Sequence, residues 1–164
     1  MEGDVTMGDE PALLDEVSVT EARQMRQHYD NVVHGKRPFL MTRYRDPGAV
    51  VMSREDLARM LEQYRFSVDL LPEEEGAFTL WIPELGVGES GATIRKARQA
   101  LTAAVRAYVQ HYWDRYDAWR HIPDKSAQWP YILRLSLARD DRELLSMVLE
   151  ATPRPDATPE PARP

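Results

Sequence analysis

The chain contains no cysteine. That excludes disulfide scaffolds, cysteine-ligated zinc, iron–sulfur clusters and thiol catalysis. It has no apolar run near the ~20 residues that a membrane-spanning helix needs. Its acidic start, MEGDVTMGDEPALLDE, lacks the basic region and apolar core of a signal peptide. A cytoplasmic protein without a membrane partner is expected. Histidines number four, with no H-x-x-x-H or H-E-x-x-H spacing, so no metal site is expected. Ser18, Ser53 and Ser136 have no G-x-S-x-G context. Gly86-x-Gly88-x-x-Gly91 matches the letters of a dinucleotide fingerprint but opens no βαβ unit. No cofactor is expected, and the chain reads as a non-enzyme.

What is present is enough for a folded core: 164 residues, 43% of them hydrophobic. The net charge of −6 is unevenly placed. Residues 1–16 hold six acids and no base, whereas 17–64 hold eight bases and six acids. The chain therefore reads as four parts. Residues 1–16 read as a disordered acidic leader, and 151–164, with five prolines, as a disordered tail. Between them lie two modules, 17–64 and 65–150.

The first module reads strand, helix, hairpin, helix. Val17–Val19 is strand-like, and Ser18 with Glu21 has the spacing of a capping box. Val19, Ala22, Met25, Tyr29, Val32 and Val33 follow a helical period, which Gly35 stops. Phe39–Thr42 and Ala49–Met52 form a hairpin about Asp46-Pro47-Gly48. Ser53 and Asp56 cap a second helix lined by Leu57, Met60, Leu61 and Tyr64.

The second module opens on a strand at Phe66–Leu70, turns at Pro72–Gly76 and returns through Phe78–Ile82. A short third strand fits near Gly86–Gly91. A long helix from about Ala92 carries an apolar stripe of Ile94, Ala97, Leu101, Ala104, Val105, Tyr108, Tyr112, Tyr116 and Trp119. Pro123 and Pro130 bracket a loop. Residues 131–137 alternate as a strand does, though a helix also fits. Asp140 and Glu143 cap a last helix. The fold class is α+β.

Thr20-Glu21-Ala22-Arg23, Gly35, Thr42-Arg43, Ala49-Val50-Val51 and Ser53-Arg54-Glu55-Asp56-Leu57 resemble, in order and spacing, the Phd/YefM (prevent-host-death) antitoxins. The resemblance implies a β-α-β-β-α module that forms a homodimer or higher homo-oligomer and binds its operator DNA. It assigns DNA contacts to Arg23 and Arg43, with Lys36, Arg37 and Arg45 as phosphate contacts. Arginine suits phosphates and guanine edges alike. Arg23 and Arg26 also read simply as a solvated helix face.

Pro72 to Gly76, Trp81-Ile82-Pro83-Glu84-Leu85 and Ala97-Arg98-Gln99-Ala100-Leu101 look like a HicB-type antitoxin domain, a small antiparallel sheet packed on a long helix. That resemblance implies toxin binding, dimer formation or both. Glu73, Glu74 and Glu75 form an acidic edge suited to a basic toxin, or a solvated turn. Tyr108, Tyr112 and Tyr116 read as core, and Trp113, beside their stripe, as an interface anchor. The whole chain thus resembles an antitoxin that neutralises a RelE-like ribonuclease and represses its own operon. Three alternatives stand: a HicB-led antitoxin whose head only dimerises, an orphan dimeric DNA-binding regulator, and a small enzyme using the acidic turn or the glycine loop.

Overall fold

A computed structural model describes residues 26–41, 49–73 and 76–150. The leader, the strand at 17–19 with its cap, the turn at 46–48 and the proline-rich tail lie outside these residues. The described chain is mixed α+β, with two small antiparallel sheets and several helices. It divides into two units, residues 1–63 and 64–164.

In the first unit, α1 (Arg26–Val33) leads to a hairpin of β1 (Phe39–Met41) and β2 (Ala49–Val51), then α2 (Arg54–Leu61). The hairpin is antiparallel, pairing Phe39 with Val51 and Leu40 with Val50. Ser53 caps α2 as its spacing predicts: its Oγ accepts from the Asp56 N–H at 3.1 Å and donates to the Asp56 carboxylate at 2.5 Å. The stop after α1 differs from expectation. The left-handed residue is Lys36 (φ 51°), not Gly35. Gly35 is needed for space instead, since a Cβ there would lie 2.7 Å from the Asn31 carbonyl. The Arg37 N–H donates back to that carbonyl at 3.2 Å and closes the turn over Lys36. Helix α2 ends before Tyr64, and Met60 faces outward at 60% exposure.

In the second unit, β3 (Asp69–Pro72), β4 (Phe78–Ile82) and β5 (Val87–Gly91) form an antiparallel sheet in that order. Helix α3 (Ile94–Asp114) packs on it, followed by α4 (Tyr116–Trp119), α5 (Pro123–Ala127), α6 (Trp129–Ser136) and α7 (Asp141–Leu149). Leu80 and Ile82 from β4 meet Ala97, Leu101, Val105, Val109 and Tyr112 from α3 in a core completed by Ile132, Leu135, Leu144 and Val148. Ile94, expected in the stripe, is 39% exposed at the helix start.

Three further expectations are corrected and one open choice is decided. The first strand starts at Asp69, not Phe66, because the Ser67 N–H donates to the Glu84 carboxylate (2.9 Å) rather than to a sheet neighbour. Phe66 is instead a buried wedge. Pro123 and Pro130 do not bracket a loop; each sits in the first turn of a helix, where a missing N–H is harmless. Helix α3 stops at Asp114 rather than running on to Trp119. Residues 131–137, open between strand and helix in the sequence, are helical through Ser136, and Arg134 within them is buried. Its guanidinium donates to the Tyr64 carbonyl (2.7 Å), pairs with Glu150 (3.4 Å) and lies over the Phe66 ring. Asp140 caps α7 as expected, accepting from the Glu143 N–H at 2.7 Å, while the Glu143 carboxylate reaches the Arg139 N–H.

The glycines of the G-x-G-x-x-G run have structural duties. Gly86 takes φ 67° in the turn after β4. Gly91 lets β5 approach α3, since a Cβ there would fall 2.4 Å from the Ala97 nitrogen. Gly88 seats the ring of Trp81, 2.5 Å from where its Cβ would be.

Candidate functional site

Arg23, Arg43 and Arg45 lie outside the described residues. Lys36 and Arg37 are described and exposed, on the turn between α1 and β1. Left-handed backbone at Lys36 aims its side chain at the start of α2, where Nζ donates to the Glu55 carboxylate. That hydrogen bond, with the lysine charge, holds the Glu55 carboxyl below its usual range. Lys36 is thus already partnered, whereas Arg37 carries no ion pair among the described residues.

The hairpin beside them presents an uncovered apolar face. Leu40 and Val50 lie directly opposite and are 62% and 63% exposed. Their neighbours Phe39 and Val51 point the other way, by the period of two, and are half-buried. The Phe39 ring there packs 5.2 Å from His28. A two-stranded sheet with a bare apolar face has little stability of its own.

On the second unit, Glu74 and Glu75 lie outside the described residues. Glu73 closes the β3–β4 turn: its N–H donates to the Ala77 carbonyl (2.9 Å) and its carboxylate accepts from the Thr79 hydroxyl (2.7 Å). Trp113 is half-buried. Its indole N–H donates to Ser136 (2.8 Å), which in turn donates to the Ile132 carbonyl. Its ring meets Tyr112 and Tyr116, so its polar handle is spent inside the unit. Of the tyrosines expected in the core, Tyr112 is fully buried, and burial raises its hydroxyl pKa. Tyr108 and Tyr116 are half-buried.

Sequence reasoning missed the outer face of the three-stranded sheet. Strand alternation puts Leu80 and Ile82 in the core, so Trp81 must face outward, and it is 38% exposed. Asp69 stands opposite it on β3 and Leu71 follows on the same face, while Glu73, just past the strand, accepts from Thr79 of that face. Leu71 is 47% exposed. An aromatic ring and a leucine are therefore framed by two carboxylates. The alternation of Leu80-Trp81-Ile82 was the signal that could have found it.

Among the described residues no histidine–carboxylate cluster able to hold a metal is present. Among them, too, no helix is long and apolar enough to cross a membrane. Residues 13–150 match the PHD-like family, described as "Antitoxin of toxin-antitoxin, RelE / RelB, TA system". No curated protein matches the chain. Among solved structures, the fold is similar to a crystal structure from Syntrophomonas wolfei subsp. wolfei, described as the antitoxin part of a proposed toxin/antitoxin system. The two share 24% identity at a TM-score of 0.64, over 78% of this chain and 91% of that one.

Proposed function

The chain belongs to the PHD-like family, the antitoxins of RelE/RelB toxin–antitoxin systems, and from that premise we propose a division of labour between its two units. The first is a Phd/YefM-like β-α-β-β-α module that dimerises and binds operator DNA. The second is a HicB-like sheet and helix that binds a RelE-like ribonuclease toxin and blocks it by covering its RNA surface. On this reading the protein performs no catalysis itself.

One observation carries the toxin half: the outer sheet face joins Leu71 and Trp81 to Asp69 and Glu73. Ring and leucine supply an apolar anchor, and the carboxylates favour a basic partner and speed its approach. Glu74 and Glu75, next in sequence, add acidic charge beside it. The Trp113 ring supports this unit from within through its bond to Ser136. Dimerisation is supported by Leu40 and Val50, whose exposed pair would be buried against a second copy. Arg23 and Arg43 would contact DNA, with Arg37 and Arg45 on phosphates. Lys36 joins them only by releasing Glu55.

Co-expression with the adjacent small open reading frame tests the toxin half. That gene should arrest growth alone and be harmless beside this protein, and the two should co-purify. Combining Leu71→Asp with Trp81→Ala should abolish both rescue and co-purification. A neighbour that stays toxic beside the wild-type chain overturns the reading. Gel shift on the upstream DNA tests the other half: Arg23→Ala with Arg43→Ala should lose the shift, and an unchanged shift refutes the assignment.

A further inference from the structure

An open groove of ≈ 620 Å³ runs between α3 and α7 of the second unit, lined by Arg95, Arg98, Gln99, Thr102, Asp141, Arg142 and Leu145. Its α3 wall is one helical stripe, because positions 95, 98, 99 and 102 fall on a common face. Arg95 and Arg98 stand on that wall and Arg142 on the other, all exposed. None of the three carries an ion pair among the described residues. The acid in the groove, Asp141, is held by Arg106 at 2.6 Å. Its charge is therefore offset, and the groove is cationic within a unit whose net charge is slightly negative.

The position of these cations is locally unfavourable. Arg95, Lys96 and Arg98 occupy the first turns of α3, whose first turn holds no acid. A helix start carries partial positive charge, so cations there are destabilising and anions are favoured. Conflict between local preference and structure is typical of a binding site.

We propose that this groove binds the phosphate backbone of DNA, as a second contact surface beyond the one assigned to the first unit. The inference rests on the operator-binding reading above. Guanidinium forks on both walls suit phosphate oxygens, and Gln99 and Thr102 are the neutral side chains that commonly accompany them. The groove is open rather than enclosed, which suits an extended polyanion more than a compact ligand. Its sole non-polar side chain is Leu145, too little to anchor a peptide.

The test is DNA binding by the full-length protein across a salt series. Each phosphate contact contributes about 0.9 to the slope of log K against log salt, so removing three lowers that slope by roughly 2–3 for each protomer on the DNA. Arg95→Ala/Arg98→Ala/Arg142→Ala should show this drop and a dissociation constant raised about tenfold or more near 100 mM salt. Arg65→Ala/Arg115→Ala/Arg120→Ala removes the same charge from exposed positions off the groove and should change the slope far less. Lysine at 95, 98 and 142 should restore most of it. An unchanged melting transition shows that the alanine variant is folded. Equal effects of the two triple variants would reduce the result to net charge and overturn the proposal. An unchanged slope with loss of toxin binding would make the groove a protein site and also overturn it. In both cases the operator reading stands. Wild-type protein that binds no upstream DNA removes both together.

Discussion

The two units solve the burial problem differently. In the second, a 21-residue helix covers a three-stranded sheet, and aliphatic side chains from β4, α3, α6 and α7 reach full burial. Among the described residues of the first, Val32 and Leu61 are the buried apolar side chains, while Leu40, Val50 and Met60 stay 60% or more exposed. One unit completes its own core and leaves Trp81 and Leu71 on the outer face of its sheet. The other displays apolar surface at Leu40, Val50 and Met60. Stability in the second thus comes from its own core, and in the first the dimer proposed above would add to it.

The contrast is most sharply tested inside the larger core. Leu101 is fully buried at the middle of α3. Leu101→Ala should destabilise the second unit by about 2–5 kcal/mol, the range for a leucine cavity in a closed core. Urea unfolding followed by tryptophan fluorescence reads it, since all four tryptophans lie in this unit. A loss under about 1 kcal/mol would mean that the site collapses freely and that the core is looser than its burial indicates.

A smaller effect is expected at Arg134. Its guanidinium satisfies the Tyr64 carbonyl and lies against Phe66. Arg134→Ala removes the donor and the packing stem together, which should cost about 1–3 kcal/mol. Arg134→Met keeps the stem and should recover part of the loss. If alanine and methionine variants unfold alike, the polar bond alone matters.

The hairpin should respond in the opposite manner. Leu40→Asp with Val50→Asp puts two carboxylates opposite each other on the bare face. Self-association should weaken by at least about tenfold, or ~1.4 kcal/mol, read by sedimentation. Melting of the second unit should be untouched. Loss of that melting as well would show that the two units do not stabilise independently.

Local chemistry made much of this legible in advance. Ser53 and Asp140 cap helices through bonds spanning three residues, which sequence spacing encodes directly. Alternation along Phe78–Ile82 separates core from surface, including Trp81, even though its outward face drew no attention as a site. The failures involve long-range partners. The Leu133–Leu137 stretch reads equally as strand or helix, because the carbonyl that accepts the Arg134 guanidinium lies seventy residues away. Ser67 leaves the sheet because the Glu84 carboxylate, seventeen residues on, takes its N–H. The α3–α7 groove is likewise invisible, since Arg98 and Arg142 meet only through packing. For the first unit, Arg23, Arg43 and Arg45 fall outside the described residues, so resemblance alone assigns them.

The smallest expected effect separates the units by pH. In the first, the Lys36 hydrogen bond and charge depress the Glu55 carboxyl pKa. A depressed pKa favours the ionised form in the fold. Its contribution is therefore present above the ordinary carboxylate value and lost as pH falls through the folded one. The pair lies on the surface and is screened by salt, so it is worth less than any of the substitutions above. Glu55→Gln should lower the stability of the first unit slightly near neutral pH, and the gap from wild type should close toward acid and at high salt. In the second unit the burial-raised Tyr112 works at the other end. Its contribution is present below the ordinary tyrosine value and lost as pH rises through the folded one. Melting curves from acid to alkaline pH should thus show Glu55→Gln converging with wild type on the acid side, with Tyr112→Phe removing part of the alkaline decline. A Glu55→Gln gap that persists into acid would mean the side chain contributes through packing rather than charge.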